Sequence, residues 1–181
     1  MKNSENVIRI RPYTSPCGTL LLGSYHDSLC LCDWVESRHP GRTRRRLQSL
    51  LGAECVEADS HVLREAARQL DDYFAHGRTR FDLPLLWVGS DFQKKVWQAL
   101  LGIPYGQTIS YKELAIGIGA PSAVRAVANA NGANALSIIV PCHRVVGADH
   151  SLTGYAGGLA AKKFLLKWEQ NGEPGAFGTV L

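Results

Sequence analysis

The sequence predicts a two-part α/β (α+β) protein, with strands followed by helices in the first half and a mainly helical second half. Three observations lead there. Two strand-like runs flank a turn near the start, two stretches of helical period follow them, and beyond Val88-Gly89-Ser90 the chain reads as helices parted by glycine and proline. With 181 residues, 45% of them hydrophobic and 20% charged, there is material for one sizeable core or two small domains. The expected division is residues 1–88 and 89–181.

Gly18-Thr19-Leu20-Leu21-Leu22-Gly23 and Ser28-Leu29-Cys30-Leu31-Cys32-Asp33-Trp34-Val35 are the strand-like runs, and Tyr25-His26-Asp27 between them gives a hairpin. Helices over Arg42 to Leu51 and Ser60 to His76 come next. Ser60 caps the second, Gly77 stops it, and Val62, Leu63, Ala66, Ala67, Leu70, Tyr73 and Phe74 make its apolar stripe. Phe81 to Trp87 reads as an edge strand or extended linker. Ser90 with Gln93 is a capping box that opens a helix running to Leu101.

A second capping box, Ser110 with Glu113, starts a short helix at Tyr111. It can run only to about Ile116, because Gly117, Gly119 and Pro121 break it, and a helix from Ser122 to about Asn131 completes a helix-turn-helix. Ala123, Ala126, Ala128 and Ala130 keep that second helix small, and Arg125 is its only charge. Such a helix is either alanine-rich packing with one solvated arginine or a surface that approaches a DNA groove, Arg125 entering the base stack or reaching a phosphate.

Next, Ser137-Ile138-Ile139-Val140 reads as a strand driven into the core, and Pro141 ends it so that Cys142 reaches a pocket wall. Only a thiolate attacks, and an apolar setting alone raises a thiol's pKa. His143 and Arg144 therefore matter as proton acceptor and positive potential. The alternative is a core cysteine beside a surface histidine.

Composition narrows the classes. No apolar run approaches membrane-spanning length, and Met1-Lys2-Asn3-Ser4-Glu5-Asn6 leads into Val7-Ile8-Arg9-Ile10 rather than a leader's long apolar region, so the expected compartment is the cytoplasm. Five cysteines, an odd number at irregular spacing, argue against a disulfide framework and for reducing surroundings. The net charge is +4. Residues 90–181 carry eight Lys/Arg against five Asp/Glu, so most of the basic excess lies with the motifs and permits salt-sensitive phosphate contact. Cys30 and Cys32 with His26 and His39 lack a regular zinc spacing and read as core cysteines. Arg42, Arg44, Arg45 and Arg46 read as a solvated helix face.

Arg125-Ala126-Val127, Ala130-Asn131-Gly132, Asn134, Leu136 to Val140, Pro141-Cys142-His143-Arg144-Val145-Val146-Gly147 and Thr153-Gly154-Tyr155-Ala156-Gly157-Gly158-Leu159 together resemble the O6-alkylguanine-DNA alkyltransferases, most closely the free-standing bacterial type. The resemblance is dense from about Ser90 to Glu169. Ser15 to Leu20 and Phe92 to Trp97 carry it upstream, the former resembling the opening strand of the family's N-terminal domain.

The resemblance implies an RNase-H-like N-terminal domain and a helical domain that bears the site. It implies suicidal repair of double-stranded DNA, in which the alkyl group of flipped-out O6-alkylguanine, and of O4-alkylthymine, passes irreversibly to Cys142. Cys142 becomes the nucleophile, His143 its base, Glu169 the group orienting that imidazole and Tyr111 the donor to the leaving guanine. Consecutive residues leaving an extended segment point apart, so a water is expected between Cys142 and His143. Arg125 fills the vacated stack from the minor groove, and backbone groups of Cys142, Val145 and Ala156 read the base edge. Tyr155 walls the pocket, Asn134 braces the hinge, and Ser110 joins the DNA-contacting set. The mechanism requires no metal, nucleotide or other cofactor and no membrane, and the expected partner of this monomer is DNA.

Ala128 stands where the family usually has Gly, and Ala135 follows Asn134 where it usually has Pro. Alanine favours helix at the first position but adds a methyl toward DNA. At the second, it leaves the loop freer than proline would. A non-catalytic protein that binds alkylated bases and recruits other repair factors is the alternative reading. A transcription factor or a cysteine hydrolase sharing only local patterns is a third.

Overall fold

Ile8 and Ile10 are buried while Arg9 between them is exposed, and this two-residue period lays down β1 (Val7–Ser15). The structure is a computed structural model that describes residues 6–172; the expectation about the first five residues lies outside them. The chain parts into two compact units between Val88 and Gly89.

In the first unit β1 pairs antiparallel with β2 (Gly18–Tyr25), which pairs antiparallel with β3 (Ser28–Trp34). β4 (Glu54–Glu57) joins β1 in parallel, giving the order β3-β2-β1-β4. β1 and β4 were not among the strands expected from sequence. The arginines of β1 interrupt its apolar character, and β4 is only four residues long, with only Cys55 not exposed.

From Leu29 to Trp34, β3 is buried throughout, so Cys30 and Cys32 are core residues, and the Cys30 thiol donates to the Gly23 carbonyl at 3.5 Å. α1 (Arg42–Leu51) ends at Gly52, whose φ of 59° provides the left-handed cap that a side chain would resist. On this helix Arg42 and Arg45 are exposed, whereas Arg46 is half-buried in the field of Asp33.

α2 (His61–Tyr73) starts as expected, Ser60 Oγ accepting from Leu63 N, but it ends at Tyr73 rather than His76. The reversal is made by His76, whose φ is 57°, with Gly77 N closing on Asp72 O at 2.8 Å. Phe81 to Trp87 is an extended linker tied to β3 by one bridge, Leu29 with Leu85, and by bonds from Leu29 N to Pro84 O and Leu86 N to Leu29 O.

The second unit begins with α3 (Asp91–Leu100). Both halves of its capping box form, Ser90 Oγ accepting from Gln93 N at 3.1 Å and Gln93 Oε1 from Ser90 N at 3.0 Å. The two-residue β5 (Ile109–Ser110) leads into α4 (Tyr111–Gly117), whose box between Ser110 and Glu113 is equally complete. α5 (Val124–Gly132) starts two residues later than expected, because Ala123, at ψ 32°, is its cap.

Val127 and Ala130 face inward from α5, and the Trp97 indole N–H of α3 donates to Ala130 O at 2.8 Å. A 3-10 turn (Cys142–Arg144) runs into β6 (Val145–Val146), which pairs parallel with β5; α6 (Leu159–Asn171) packs against the turn. Among the described residues no helix is long and apolar enough to cross a membrane.

Because Ser90 satisfies an N–H that α3 cannot satisfy within itself, Ser90→Ala is expected to cost about 1 kcal/mol, read as a lowered midpoint in urea unfolding. An unchanged midpoint would show that the cap is dispensable.

Candidate active site

The run before the cysteine is buried, but it is not a strand. Leu136 to Val140 coil through consecutive turns, with Ile139 N bonded to Ser137 O and Val140 N to Leu136 O, both at 2.8 Å. Ile138 has a φ of 71°, so a buried β-branched residue sits at the centre of a γ-turn of positive φ, a strained geometry. Asn134 holds the loop from inside. Its Oδ1 accepts from Leu136 N at 3.0 Å and its Nδ2 donates to Val140 O at 2.9 Å. Ala135, buried beside it, occupies a loop that these side-chain bonds close.

Pro141, at φ −82° and ψ 63°, centres an inverse γ-turn in which Cys142 N donates to Val140 O at 2.8 Å. The fixed φ of proline suits that position, and the chain then winds into the 3-10 turn. Cys142 is therefore delivered by two tight turns, not by an extended segment, and the geometric argument that set it apart from His143 does not apply. It is 5% exposed, and its carbonyl accepts from Asn131 Nδ2 of α5 at 3.4 Å.

His143 and Glu169 are both fully buried and meet at 2.7 Å, Nε2 to Oε1. Glu169 also accepts from Arg144, whose Nε reaches Oε2 and whose Nη2 reaches Oε1, each at 2.9 Å, and from Gly106 N at 3.3 Å. Burial alone would raise the carboxyl pKa; the facing His143 and the Arg144 guanidinium overcome it and hold Glu169 well below the usual carboxylate range.

A carboxylate can only accept, so His143 Nε2 carries the proton. In the neutral imidazole Nδ1 is then a bare lone pair, buried and without a hydrogen-bond partner among the described residues. Arg144 is thus spent on Glu169 and on Ile103 O at 2.6 Å, rather than lending its charge to the thiol.

The parallel pairing of Ile109 with Val145 and Ser110 with Val146 brings Tyr111 beside the strand that leaves the cysteine turn. The Tyr111 hydroxyl donates to Thr153 O at 3.1 Å, and burial pushes its pKa up, with Cys142 adding to the rise, so it keeps its proton. Ser110 is engaged as the cap of α4. Tyr155 and Ala156 are half-buried in the segment before α6, Val145 is fully buried, and Arg125 stands exposed on α5 with Ala126 beside it.

Sequence reasoning missed Lys162, whose Nζ donates to Val145 O at 2.6 Å and Thr153 O at 2.9 Å, as well as the contributions of Asn131 and Gly106. The signal was present for Lys162. It shares the buried stripe of α6 with Leu165 and Glu169, three and seven residues on.

Residues 91–171 match the family described as 6-O-methylguanine DNA methyltransferase, DNA binding domain. The chain is 54% identical over 169 residues to a methylated-DNA–protein-cysteine methyltransferase of Mycolicibacterium paratuberculosis, covering 93% of this chain and 96% of that one. To the protein of the same name from Methanosarcina barkeri it is 47% identical over 157 residues, 87% of this chain and 94% of the other. The solved structure of Mycobacterium tuberculosis OGT in complex with DNA superposes with a TM-score of 0.78 at 42% identity, over 92% of this chain and 96% of that chain.

The depressed Glu169 pKa has a consequence for acid stability. The folded carboxyl holds its proton less tightly than the unfolded one, so its contribution is complete above the unfolded pKa of about 4.3 and is lost as pH falls toward the folded value. Glu169→Gln leaves Arg144 buried without its anion and is expected to cost about 3–5 kcal/mol at neutral pH, flattening the acid limb of stability against pH. Urea unfolding at stepped pH checks both, and an unaltered acid limb would contradict the linkage.

Proposed function

The chain belongs to the methylated-DNA–protein-cysteine methyltransferases, and from that premise we propose a residue-level account of how it repairs DNA. The reaction is direct and irreversible. An alkyl group passes from O6-alkylguanine in DNA to a cysteine of the protein, and each molecule acts once. The observation that carries the account is the buried trio of His143, Glu169 and Arg144 beside Cys142, in which a fixed carboxylate leaves Nδ1 of the histidine bare.

In this account Nδ1 of His143 takes the Cys142 proton through a water, and Glu169 stabilises the imidazolium that results. Cys142 Sγ attacks the alkyl carbon, the S–C bond forms as the C–O6 bond breaks, and the bonding pair leaves with the guanine. Tyr111, kept protonated by its surroundings, turns from Thr153 O to give the departing base a proton, and the imidazolium returns one to the tyrosinate. The net reaction exchanges the thiol hydrogen for the alkyl group, leaving guanine and a thioether. Nothing in the site hydrolyses that bond. O4-alkylthymine presents the same alkyl–oxygen electrophile and is included as a substrate.

The alkyl carbon is out of reach in a stacked duplex, so the nucleotide swings out. Arg125, exposed on a helix with alanine beside it, fills the gap from the minor groove, while the Ala128 methyl narrows the approach. Backbone groups of Cys142, Val145 and Ala156 read the base edge, Tyr155 walls it, Asn134 braces the strained loop, and the Ser110 hydroxyl contacts DNA at the start of α4. The first unit is taken as the RNase-H-like domain and the second as the DNA-binding and transfer domain. The protein acts as a monomer in the cytoplasm. A base-binding protein without transfer activity would have no use for a thiol beside a buried, poised imidazole.

Incubation with O6-methylguanine duplex is expected to add one methyl per protein, on the peptide containing Cys142. Label elsewhere, or turnover beyond one equivalent, overturns the account. Cys142→Ala should abolish transfer while retaining affinity for alkylated duplex, measured by gel shift. Arg125→Ala should slow transfer from duplex at least tenfold more than from the free modified base; an equal deficit on both removes it from the flipping step.

A further inference from the structure

α1 concentrates a positive charge that the repair chemistry above does not use. Arg42, Arg44, Arg45 and Arg46 stand in its first five positions, and the helix contains no acidic residue. The first unit as a whole is close to neutral, with twelve Lys/Arg against eleven Asp/Glu over residues 1–88. Outside α1, Arg11 and Arg64 meet Asp59, Arg68 meets Glu65 and Asp72, and Arg78 meets Asp72, at 2.6–3.5 Å. Arg42, Arg44 and Arg45 form no ion pair among the described residues.

Spacing alone reads these arginines as a solvated face, but two of them are held in place. Arg45 Nη1 donates to Pro40 O at 3.2 Å. Gly41, at φ 73°, makes room for it: a Cβ there would lie 2.9 Å from Arg45 Nη1 and 3.6 Å from Arg44 Nη2. Two guanidinium groups therefore gather over one glycine, and neither is matched by a carboxylate. Beneath them, burial pushes the Arg46 pKa down, Asp33 pulls it back up and Arg42 adds to the fall. Like charges held this close repel one another, and an anion from outside the unit relieves the repulsion.

A partner of dense, regular negative charge fits this face, and the chain belongs to a family that acts on DNA. A duplex presents one negative charge per about 1.7 Å of its axis. The guanidinium fork matches two phosphate oxygens at once. The second unit has few cations to offer in their place. Residues 90–181 carry eight Lys/Arg against five Asp/Glu, and two of the eight, Arg144 and Lys162, are buried.

We propose that the arginine face of α1 is a second DNA-binding surface, on which Arg42, Arg44 and Arg45 hold the phosphodiester backbone of a duplex without regard to its sequence or to the lesion. The inference rests on DNA being the partner and is independent of how the alkyl group is transferred. Because phosphate contacts carry no base readout, the surface adds affinity and not specificity.

Binding of an undamaged duplex by the full chain, followed by fluorescence anisotropy across a salt series, tests it. Each phosphate contact contributes about 0.9 to the slope of log affinity against log salt. Arg44→Gln with Arg45→Gln should reduce that slope by about two and weaken binding about tenfold at low salt, equally for undamaged and O6-methylguanine duplexes. Arg44→Lys with Arg45→Lys keeps the charges and should keep the slope. A slope unmoved in the glutamine variant overturns the proposal.

Transfer from the free modified base, which has no phosphate, should match wild type in the glutamine variant. A deficit there equal to the deficit on duplex would place the arginines in the fold rather than on DNA, and overturns the proposal. Sedimentation velocity without DNA decides against the other occupant: a dimer that the glutamine variant dissolves would make this face an interface between two copies of the chain. Failed transfer by the wild type with the slope change present would count against the repair chemistry alone.

Discussion

A carboxylate with no exposure has to be neutralised from every side, and meeting the needs of Glu169 organises the second unit. Four donors converge on it from His143, from both arms of Arg144 and from Gly106. They draw the end of α6, the 3-10 turn and the loop after α3 to one point. Because the carboxylate accepts and never donates, the same interaction that binds these segments also fixes which histidine nitrogen bears hydrogen. Structure and reactivity follow from a single constraint.

The loop before the cysteine answers a different need. Cys142 is held by two successive γ-turns over very few residues, which leave its backbone little room to drift. The strain at Ile138 persists because its side chain is buried and because Asn134 bonds both the start and the end of the loop. This is why the absence of proline at position 135 leaves the closure intact: side-chain hydrogen bonds perform the restraint a ring would otherwise supply.

The sequence was most informative where a local rule acts alone. The capping boxes at Ser90 and Ser110 and the hairpin about His26 all depend on neighbours within a few residues, and all were readable. It misled where burial came from turns. Ser137 to Val140 looks like a strand because strand and buried turn share an apolar composition, and what sets them apart is the positive φ of Ile138 together with the side-chain bonds of Asn134. It was silent where a long-range partner decides the role. Arg144 next to a thiol suggests help for the thiolate, yet Glu169, 25 residues on, captures it, and Lys162 looks like a surface lysine until the carbonyls of Val145 and Thr153 are placed.

The buried charges of the second unit serve two different jobs. Arg144 pairs with Glu169, and the carboxylate held in this way also fixes the proton of His143 on Nε2. Lys162 instead donates to the carbonyls of Val145 and Thr153, so its ammonium ties the strand after the cysteine turn to the segment before Tyr155 through backbone acceptors. The two cations are therefore not interchangeable: removing the first strands a carboxylate, and removing the second strands two carbonyls.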